Sequence, residues 1–426
     1  MCFTWSLFLS GRGIRCSLNN ANTKVRILKE LMRSAILKSI CVVILALLCL
    51  LPLATRLLPP AAVLKCLAIE TTVVHIDLST ARTYSAADIA PYLDYVKRSA
   101  LEPAEYIVKK FKTKDLVIVS ENHWLASHTG FVADLIQPLV ASGIRDFAFE
   151  FSNVQCQGMI NEFLAKPEPD MSLLYGVLSE EYDYFGWPYS GYVNVFLKLH
   201  AANQALKKRG DSLFIHLADA PLRVGKSRTG WFRDRHMAAV IGGVLRKNKK
   251  VLFYCGATHG ITGLVSAKSG KPYPTAGELL HQEFKDRVVS VKLHSFGQDT
   301  RPEIFDVPFA GGLFDEILRL YGKPAGFDLV SSPFQKISAD LVTDTLLNSS
   351  VKENKLTDAW QGYVFPASSN ERKFCGVEME MFRQRFIHRK LARDGFIGTL
   401  AWLFFSPQQL ADACILYKLQ SLGLAQ

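Results

Sequence analysis

Five short apolar runs that alternate with helical patterns constrain the fold of this chain more than any other feature. The runs cover residues 115–120, 144–150, 212–218, 250–255 and 287–293. Between them lie helical patterns at residues 130–141, 192–208 and 233–246. Strands that are apolar throughout and alternate with helices are typical of a parallel sheet that is covered on both faces. The sequence therefore predicts an α/β fold with a mostly parallel sheet and helices on both faces.

The N-terminal 58 residues differ from the rest in charge and are predicted to be a targeting segment. The chain of 426 residues has a net charge of +11, and residues 1–60 hold eight of the basic residues against one acid. The remainder is nearly balanced, so the basic excess does not indicate nucleic acid as a partner. Residues 39–55 are uncharged and follow basic residues. This pattern predicts a signal peptide or a membrane anchor, with the body outside the cytoplasm on the periplasmic or extracellular side.

The fate of this segment stays open at the level of sequence. Met32 is followed by a basic stretch and the apolar run, which by themselves resemble a complete secretory signal. The start of the protein is therefore either Met1 or Met32, and the segment is either cleaved or kept as an anchor. In both cases the protein is expected to be membrane-anchored or secreted.

The rest of the chain divides into three predicted parts. Residues 59–111 form a connecting region, residues 112–320 form the α/β domain, and residues 321–426 form a C-terminal helical subdomain with helices near 376–393, 398–405 and 407–422. The nine cysteines include no C-x-x-C pair, so neither a disulfide framework nor a zinc ribbon is indicated. Cys255 lies in an apolar strand and is expected to be a buried free thiol. No nucleotide-binding loop is present, so no nucleotide cofactor is expected.

Acids and histidines follow the predicted strands at the points where the strands end. They are Glu121, His123, His128, Glu150, Asp219, His259 and His294. Because parallel strands bind ligands beyond their carboxyl ends, this density predicts a functional site at one edge of the sheet. Glu150 ends an apolar strand, where a carboxylate requires a cation, a metal or a proton. A structural salt bridge to Arg233 is the alternative for Glu150, and helix capping is the alternative for His123 and His259.

A cluster of aromatic residues lies between the second and third strands. Its members are Tyr182, Tyr184, Phe185, Trp187, Tyr189 and Tyr192. Such a cluster is typical of core or loop packing, and it also suits the wall of a site for a flat apolar ligand.

These motifs resemble those of a known group. Glu121-x-His123, Glu150, Gly186-Trp187, Arg233-Asp234-Arg235 and Gly256-x-x-His259 follow in the order seen in the ChaN-like, Tiki and erythromycin-esterase superfamily. The resemblance covers residues 112–295, and residues 358–363 are similar to a late segment of the esterase branch. Ser120 stands where the superfamily usually has glycine. The resemblance implies an α/β core with its site on these residues. Its branches include haem-binding uptake proteins, metal-dependent proteases and hydrolases that open a macrolide ring ester, so the activity stays open.

The first expected function is hydrolysis of an ester or amide bond in a small-molecule or peptide substrate. His123 or His259 would activate water, Glu121 and Glu150 would orient it or accept protons, and Arg233 would stabilise the oxyanion. A divalent metal held by His123, Glu150 and His259 is a variant of this hypothesis.

The second expected function is binding of haem or porphyrin in iron uptake. Four residues would then line the cofactor: His128, Tyr184, Trp187 and Tyr189. A non-catalytic scaffold domain at the membrane is the third hypothesis. The sequence predicts neither the oligomeric state nor the identity of the substrate.

Overall fold

The structure is a computed structural model. It describes residues 82–368 and 375–381, apart from 124, 180–186, 188, 222–229, 267–271, 296, 299–305, 339–354 and 377. The predicted N-terminal segment 1–58, the first part of the connecting region, Tyr184 and the helices predicted near 398–405 and 407–422 lie outside the described residues. Within the described part of the chain, no helix combines the length and the apolar character needed to cross a membrane.

A seven-stranded sheet with the order β10-β11-β7-β1-β4-β2-β3 forms the centre of the fold. Its strands are β1 Leu116–Glu121, β2 Asp146–Asn153, β3 Phe214–Asp219, β4 Val251–Gly256, β7 Val288–Leu293, β10 Ala325–Asp328 and β11 Gly362–Phe365. All neighbours pair in parallel except β10 and β11. Two antiparallel pairs lie apart from it, β5 Leu264–Ser266 with β6 Pro272–Pro274 and β8 Gly297–Gln298 with β9 Asp306–Val307. The predicted α/β class and mostly parallel sheet are confirmed.

Helices pack on both faces of this sheet. They are α1 Ala86–Ser99, α2 Pro103–Lys110, α3 Ala126–Ala141, α4 Gln157–Ala165, α5 Met171–Ser179, α6 Ser190–Lys207, α7 Gly230–Leu245, α8 Ala276–Phe284, α9 Leu313–Tyr321, α10 Leu356–Ala359 and α11 Met379–Met381. Ala148 of β2 packs in one core cluster with Met237 of α7. The next residue, Phe149, points to the other face, where its ring lies 5.0 Å from that of Phe196 in α6. Alternating strand residues therefore contact different helices.

The range 321–426 is not wholly helical, which corrects the prediction of a C-terminal helical subdomain. It supplies β10 and β11 to the main sheet, and α11 is the described part of the helix predicted near 376–393. The strands were missed because each has only four residues and contains a glycine. Both glycines are needed there because Tyr106 packs against them. A Cβ added to Gly326 would lie 2.5 Å from the Cβ of Tyr106, and a Cβ added to Gly362 would lie 2.2 Å from its hydroxyl oxygen. A second core cluster, with Ile89, Ile317 and Tyr363 among its members, lies over these strands.

Candidate active site at the carboxyl edge of the sheet

Two glutamate–histidine pairs meet over Gly256 at the carboxyl ends of β1, β2 and β4. Glu121 pairs in register with Gly256 across the sheet. A Cβ added to Gly256 would lie 2.6 Å from Cε1 and 2.7 Å from Nε2 of His123, and 3.2 Å from Oε2 of Glu150. Only glycine leaves room for this close approach of both pairs. The structure therefore places the four side chains of these pairs together at this edge of the sheet.

The first pair is built on Glu121, whose side chain is buried at the end of β1. Its Oε1 accepts hydrogen bonds from Nδ1 of His123 at 2.8 Å and from the hydroxyl of Tyr192 at 2.5 Å, and its Oε2 accepts one from the hydroxyl of Tyr254. Burial raises the pKa of Glu121, and the hydrogen bond from His123 is the largest effect that opposes this rise. Burial also raises the pKa of both tyrosines well above 10, so both remain donors. The carboxylate of Glu121 is thus an acceptor for three donors.

The ring of His123 is oriented by this carboxylate and partly exposed. Because Nδ1 donates to Glu121, the neutral ring carries its acceptor lone pair on Nε2. The side chain is 31% exposed, which lets solvent reach it. Its ring lies 4.9 Å from that of Trp187 and 6.1 Å from that of Phe151. A carboxylate-oriented imidazole that solvent can reach has the geometry of a general base.

The second pair is built on Glu150, which is buried at the end of β2. Its Oε1 lies 2.8 Å from Nη2 of Arg233 and 3.0 Å from Nε2 of His259, and its Oε2 accepts a hydrogen bond from the backbone N–H of Gly256 at 2.7 Å. Burial acts to raise the pKa of Glu150, but the charges of His259 and Arg233 outweigh it and hold that pKa well below its usual value. Both oxygens of Glu150 are therefore engaged by groups of the protein itself.

His259 lies between two carboxylates, which fixes its protonation. Nδ1 lies 2.7 Å from Oδ1 of Asp234, and Nε2 faces Glu150. Burial alone would lower the pKa of His259, but the two carboxylates raise it to about 10. Asp234 in turn accepts the backbone N–H of Ala276 at the start of α8. His259 is thus an imidazolium at neutral pH, and a ring with both N–H groups engaged has no lone pair to accept a proton.

Arg233 connects this pair to a third strand. Its Nε donates to Oδ1 of Asp219 at the end of β3, at 2.9 Å. The predicted salt bridge between Glu150 and Arg233 is therefore present, as one link in a longer chain. Three carboxylates alternate in that chain with two cations: Asp219, Arg233, Glu150, His259 and Asp234. The alternation lets several charges be buried together because each one faces an opposite charge.

His128 does not face the site, although the sequence predicts it as a cofactor-binding residue. Its Nδ1 accepts the backbone N–H of Asn122 at 3.1 Å, and its Nε2 donates to the carbonyl of His294 at 2.9 Å. Burial lowers the pKa of His128 to about 3, so it stays neutral. The buried Lys292 of β7 donates to Oδ1 of Asn122 at 3.1 Å. His128 and Lys292 therefore fix the turn that carries Glu121 and His123.

The sequence reasoning missed Tyr192, Tyr254 and Lys292 as parts of the site. The available signal was polarity in apolar surroundings: Tyr254 and Lys292 interrupt runs of apolar residues in β4 and β7. Periodicity could not show that both tyrosine hydroxyls converge on Glu121, because they come from a strand and a helix that are far apart in sequence.

The described aromatic residues do not fit a haem site. The rings of Trp187, Phe151 and Tyr192 lie 4.6–5.2 Å from one another, so they fill the space between themselves. Tyr189 is buried, the hydroxyl of Tyr192 is held by Glu121, and Tyr184 lies outside the described residues. These contacts are those expected if the aromatic cluster serves core or loop packing and does not form the wall of a ligand site.

The predicted metal ligands do not fit a metal either. His259 uses both ring nitrogens on carboxylates, and Glu150 uses both oxygens on cations and a backbone N–H. Among the residues that the structure describes, no group of three or more His, Cys, Asp and Glu side chains is arranged to hold a metal ion.

No known protein family and no curated protein matches the chain by sequence. A solved succinoglycan biosynthesis protein superposes with a TM-score of 0.50 and 10% identity, over 69% of this chain and 100% of that chain. The chain shares its α/β fold with that protein. At this identity the likeness shows the fold alone.

Two further solved structures are similar to this chain. A protein from Bacillus cereus has a TM-score of 0.49 and 10% identity, over 69% of this chain and 100% of that chain. A mutant of the erythromycin esterase EreC in its open conformation has a TM-score of 0.46 and 11% identity, over 64% of this chain and 93% of that chain.

Proposed function

We propose that the protein hydrolyses an ester or amide bond, with His123 as the general base and Glu121 as the carboxylate that orients it. The observation that supports this most is the 2.8 Å hydrogen bond between Glu121 and Nδ1 of His123, on a ring that solvent reaches. The proposed substrate is a small molecule or a peptide. The proposed location is membrane-anchored or secreted, with the body outside the cytoplasm, on the strength of residues 39–55.

The proposed reaction begins with proton transfer from water to Nε2 of His123. The hydroxide forms a bond to the carbonyl carbon, and the carbonyl π bond becomes a tetrahedral oxyanion. The oxyanion then collapses, the bond to the alkoxide or amine breaks, and the proton on His123 moves to that leaving group. The carboxylate of Glu121 stabilises the intermediate imidazolium. No step is assigned to a metal, because the nitrogens and oxygens that would bind one are engaged within the protein.

In this proposal, His259 and Arg233 keep Glu150 ionised and hold it in place beside the reacting centre. Because His259 stays protonated, it does not act as the base in this proposal. The sequence left open whether His123 or His259 activates water, and the proposal assigns this step to His123.

The test is hydrolysis of a panel of aryl esters and fluorogenic peptides by the full-length protein, with and without a chelator. His216→Gln is the matched control for His123→Gln, because His216 also pairs with a carboxylate, Asp146, at 2.8 Å and lies at the other end of the strands. We expect hydrolysis by the wild type and the control, and a loss of at least about 100-fold in His123→Gln. No activity on the whole panel, or equal activity in the two variants, contradicts the proposal.

A further inference from the structure

The amino edge of the sheet, opposite the candidate active site, is strongly basic. Five segments lead into the parallel strands at this edge: residues 111–115, 142–146, 207–213, 246–250 and 285–287. Together they contain twelve Lys and Arg residues and four Asp residues, a net charge of +8. The other residues after position 60 are net negative, because the whole chain is +11 and residues 1–60 are +7. The positive charge of the body is therefore concentrated on one edge.

These segments form one continuous surface. The backbone N–H of Asp115 donates to the carbonyl of Arg287 at 2.9 Å, and that of Val251 donates to the carbonyl of Asp115 at 2.8 Å. Further along the sheet, the N–H of Phe214 donates to the carbonyl of Arg145 at 2.8 Å. The strand order places the five segments side by side, so their charges add to one field.

Arginines and lysines of this edge differ in their partners. Arg145 pairs with Asp211 at 2.7 Å, and Arg287 pairs with Asp115 at 2.6 Å. Six exposed lysines of the edge have no ion pair to any described residue: Lys112, Lys207, Lys208, Lys247, Lys250 and Lys285. Two of the four aspartates of the edge thus pair with arginine, and the lysines without ion pairs contribute most to the net positive charge.

An exposed aromatic residue lies within this basic surface. Phe214, the first residue of the edge strand β3, is 48% exposed, and Nζ of Lys249 lies 4.5 Å from the centre of its ring. The described part of the chain contains two other exposed large hydrophobic residues, Leu320 and Val330. An exposed aromatic ring among lysines is typical of proteins that lie on membranes, where the ring enters the interface and the lysines meet anionic headgroups.

We propose that the amino edge binds a membrane surface rich in anionic phospholipid, with Phe214 entering the headgroup region. The candidate active site at the opposite edge then faces away from the bilayer and stays open to its substrate. Nucleic acid also presents phosphates, but binding of single strands uses several aromatic platforms. Phe214 is the one large hydrophobic residue of this edge that the structure shows as exposed. The inference is independent of the proposed hydrolysis, because it uses none of the residues of the site.

Hydrogen exchange of the full-length protein tests the proposal at the level of single segments. This readout separates the amino edge from residues 39–55, which have their own predicted membrane affinity. Vesicles that mix phosphatidylcholine with the anionic lipid phosphatidylglycerol are compared with vesicles of phosphatidylcholine alone. We expect slower exchange in residues 207–214 and 246–250 with the anionic vesicles only. Unchanged exchange, or equal protection by neutral vesicles, overturns the proposal.

Charge reversal provides the second arm of this experiment. The triple variant Lys112→Glu, Lys208→Glu and Lys247→Glu changes exposed lysines of the edge, and Lys198→Glu, Lys323→Glu and Lys336→Glu is the matched control elsewhere on the surface. We expect the first triple and Phe214→Ser to lose the protection, with each lysine worth about fivefold in vesicle affinity. The control should keep it. Protection that survives the first triple, or that appears with an RNA oligonucleotide in place of vesicles, overturns the assignment to lipid.

Hydrolysis of a soluble ester separates this proposal from the proposed function. The first triple variant should retain the activity of the wild type on such a substrate, since its lysines lie at the edge away from His123. If the wild type has no activity, the vesicle result still decides the membrane proposal by itself.

Discussion

The two glutamate–histidine pairs consist of the same residue types, yet their surroundings impose opposite behaviour. His123 pairs with the carboxylate of Glu121 and is 31% exposed, whereas His259 lies between the carboxylates of Glu150 and Asp234 and is 10% exposed. Glu121 receives its hydrogen bonds largely from neutral donors, and burial raises its pKa. Glu150 faces two cations, and its pKa is held well below its usual value. The number of charged neighbours, and not the residue type, keeps His259 protonated.

The site therefore has two parts: the pair of Glu121 and His123, which we propose for proton transfer, and the pair of Glu150 and His259, which carries fixed charge. In the pair of Glu121 and His123, solvent reaches the imidazole ring. The pair of Glu150 and His259 is locked in an ionic chain that joins β2, β3, β4 and α7. Variants of the two pairs should therefore differ in whether they lower activity or stability.

The largest expected effect is that of His123→Gln on turnover. Loss of a general base lowers kcat by about 10²–10⁴-fold. Because the ring is partly exposed and outside the ionic chain, the melting temperature should stay close to that of the wild type. Single-turnover kinetics and thermal melting of the same sample measure both quantities. A fall in melting temperature with unchanged kcat would show that His123 has a structural role instead.

Glu150→Gln is expected to act mainly on stability. The change leaves Arg233 and His259 buried beside a neutral amide, and breaking a buried ion pair in this way costs about 3–5 kcal/mol. Arg233→Gln breaks the same chain and should have a similar cost. Urea unfolding of both variants measures this, with Arg319→Gln as the control for an exposed ion pair. Normal stability together with lost turnover would place Glu150 in the proton-transferring part of the site.

His259 should make the free energy of unfolding depend on pH. Its pKa is about 10 in the folded protein against 6.5 for a free side chain, so the folded state binds the proton more tightly. Its contribution is fully present below pH 6.5 and is lost as the pH rises towards 10. Urea unfolding across this range should show a decline that His259→Gln lacks. Parallel curves for the wild type and the variant would contradict the assigned protonation.

The smallest expected effect is that of Tyr254→Phe. The variant removes one donor from the ionised Glu121, which costs about 1.5–3 kcal/mol for a hydrogen bond to a charged group. It also disfavours the carboxylate form, so the pKa of Glu121 should rise further and the acid limb of the pH–rate profile should move to higher pH. Tyr363→Phe is the control, because its hydroxyl bonds to His294 and not to Glu121. An unmoved acid limb would separate Glu121 from the reaction.

The order of strands and helices in the centre of the fold was predictable because burial on both faces leaves continuous apolar runs in the sequence. All five predicted strands are present, each within three residues of its expected ends. The short strands β10 and β11 were not predicted, since four residues with a glycine carry too little pattern. Their place in the sheet depends on contacts such as that between Gly326 and Tyr106, which are distant in sequence.

The sequence by itself determined the residue types of the site and the edge at which they collect, because the carboxyl ends of parallel strands share one edge. Glu121, His123, Glu150 and His259 were identifiable on that ground, and Arg233 was identifiable from its place near the start of a predicted helix. Only the tertiary structure decided which charges and hydrogen bonds surround each of them. A pKa depends on burial and on charges within a few ångströms, and the partners that set it here, such as Asp234 for His259 and Tyr254 for Glu121, are 25 and 133 positions away.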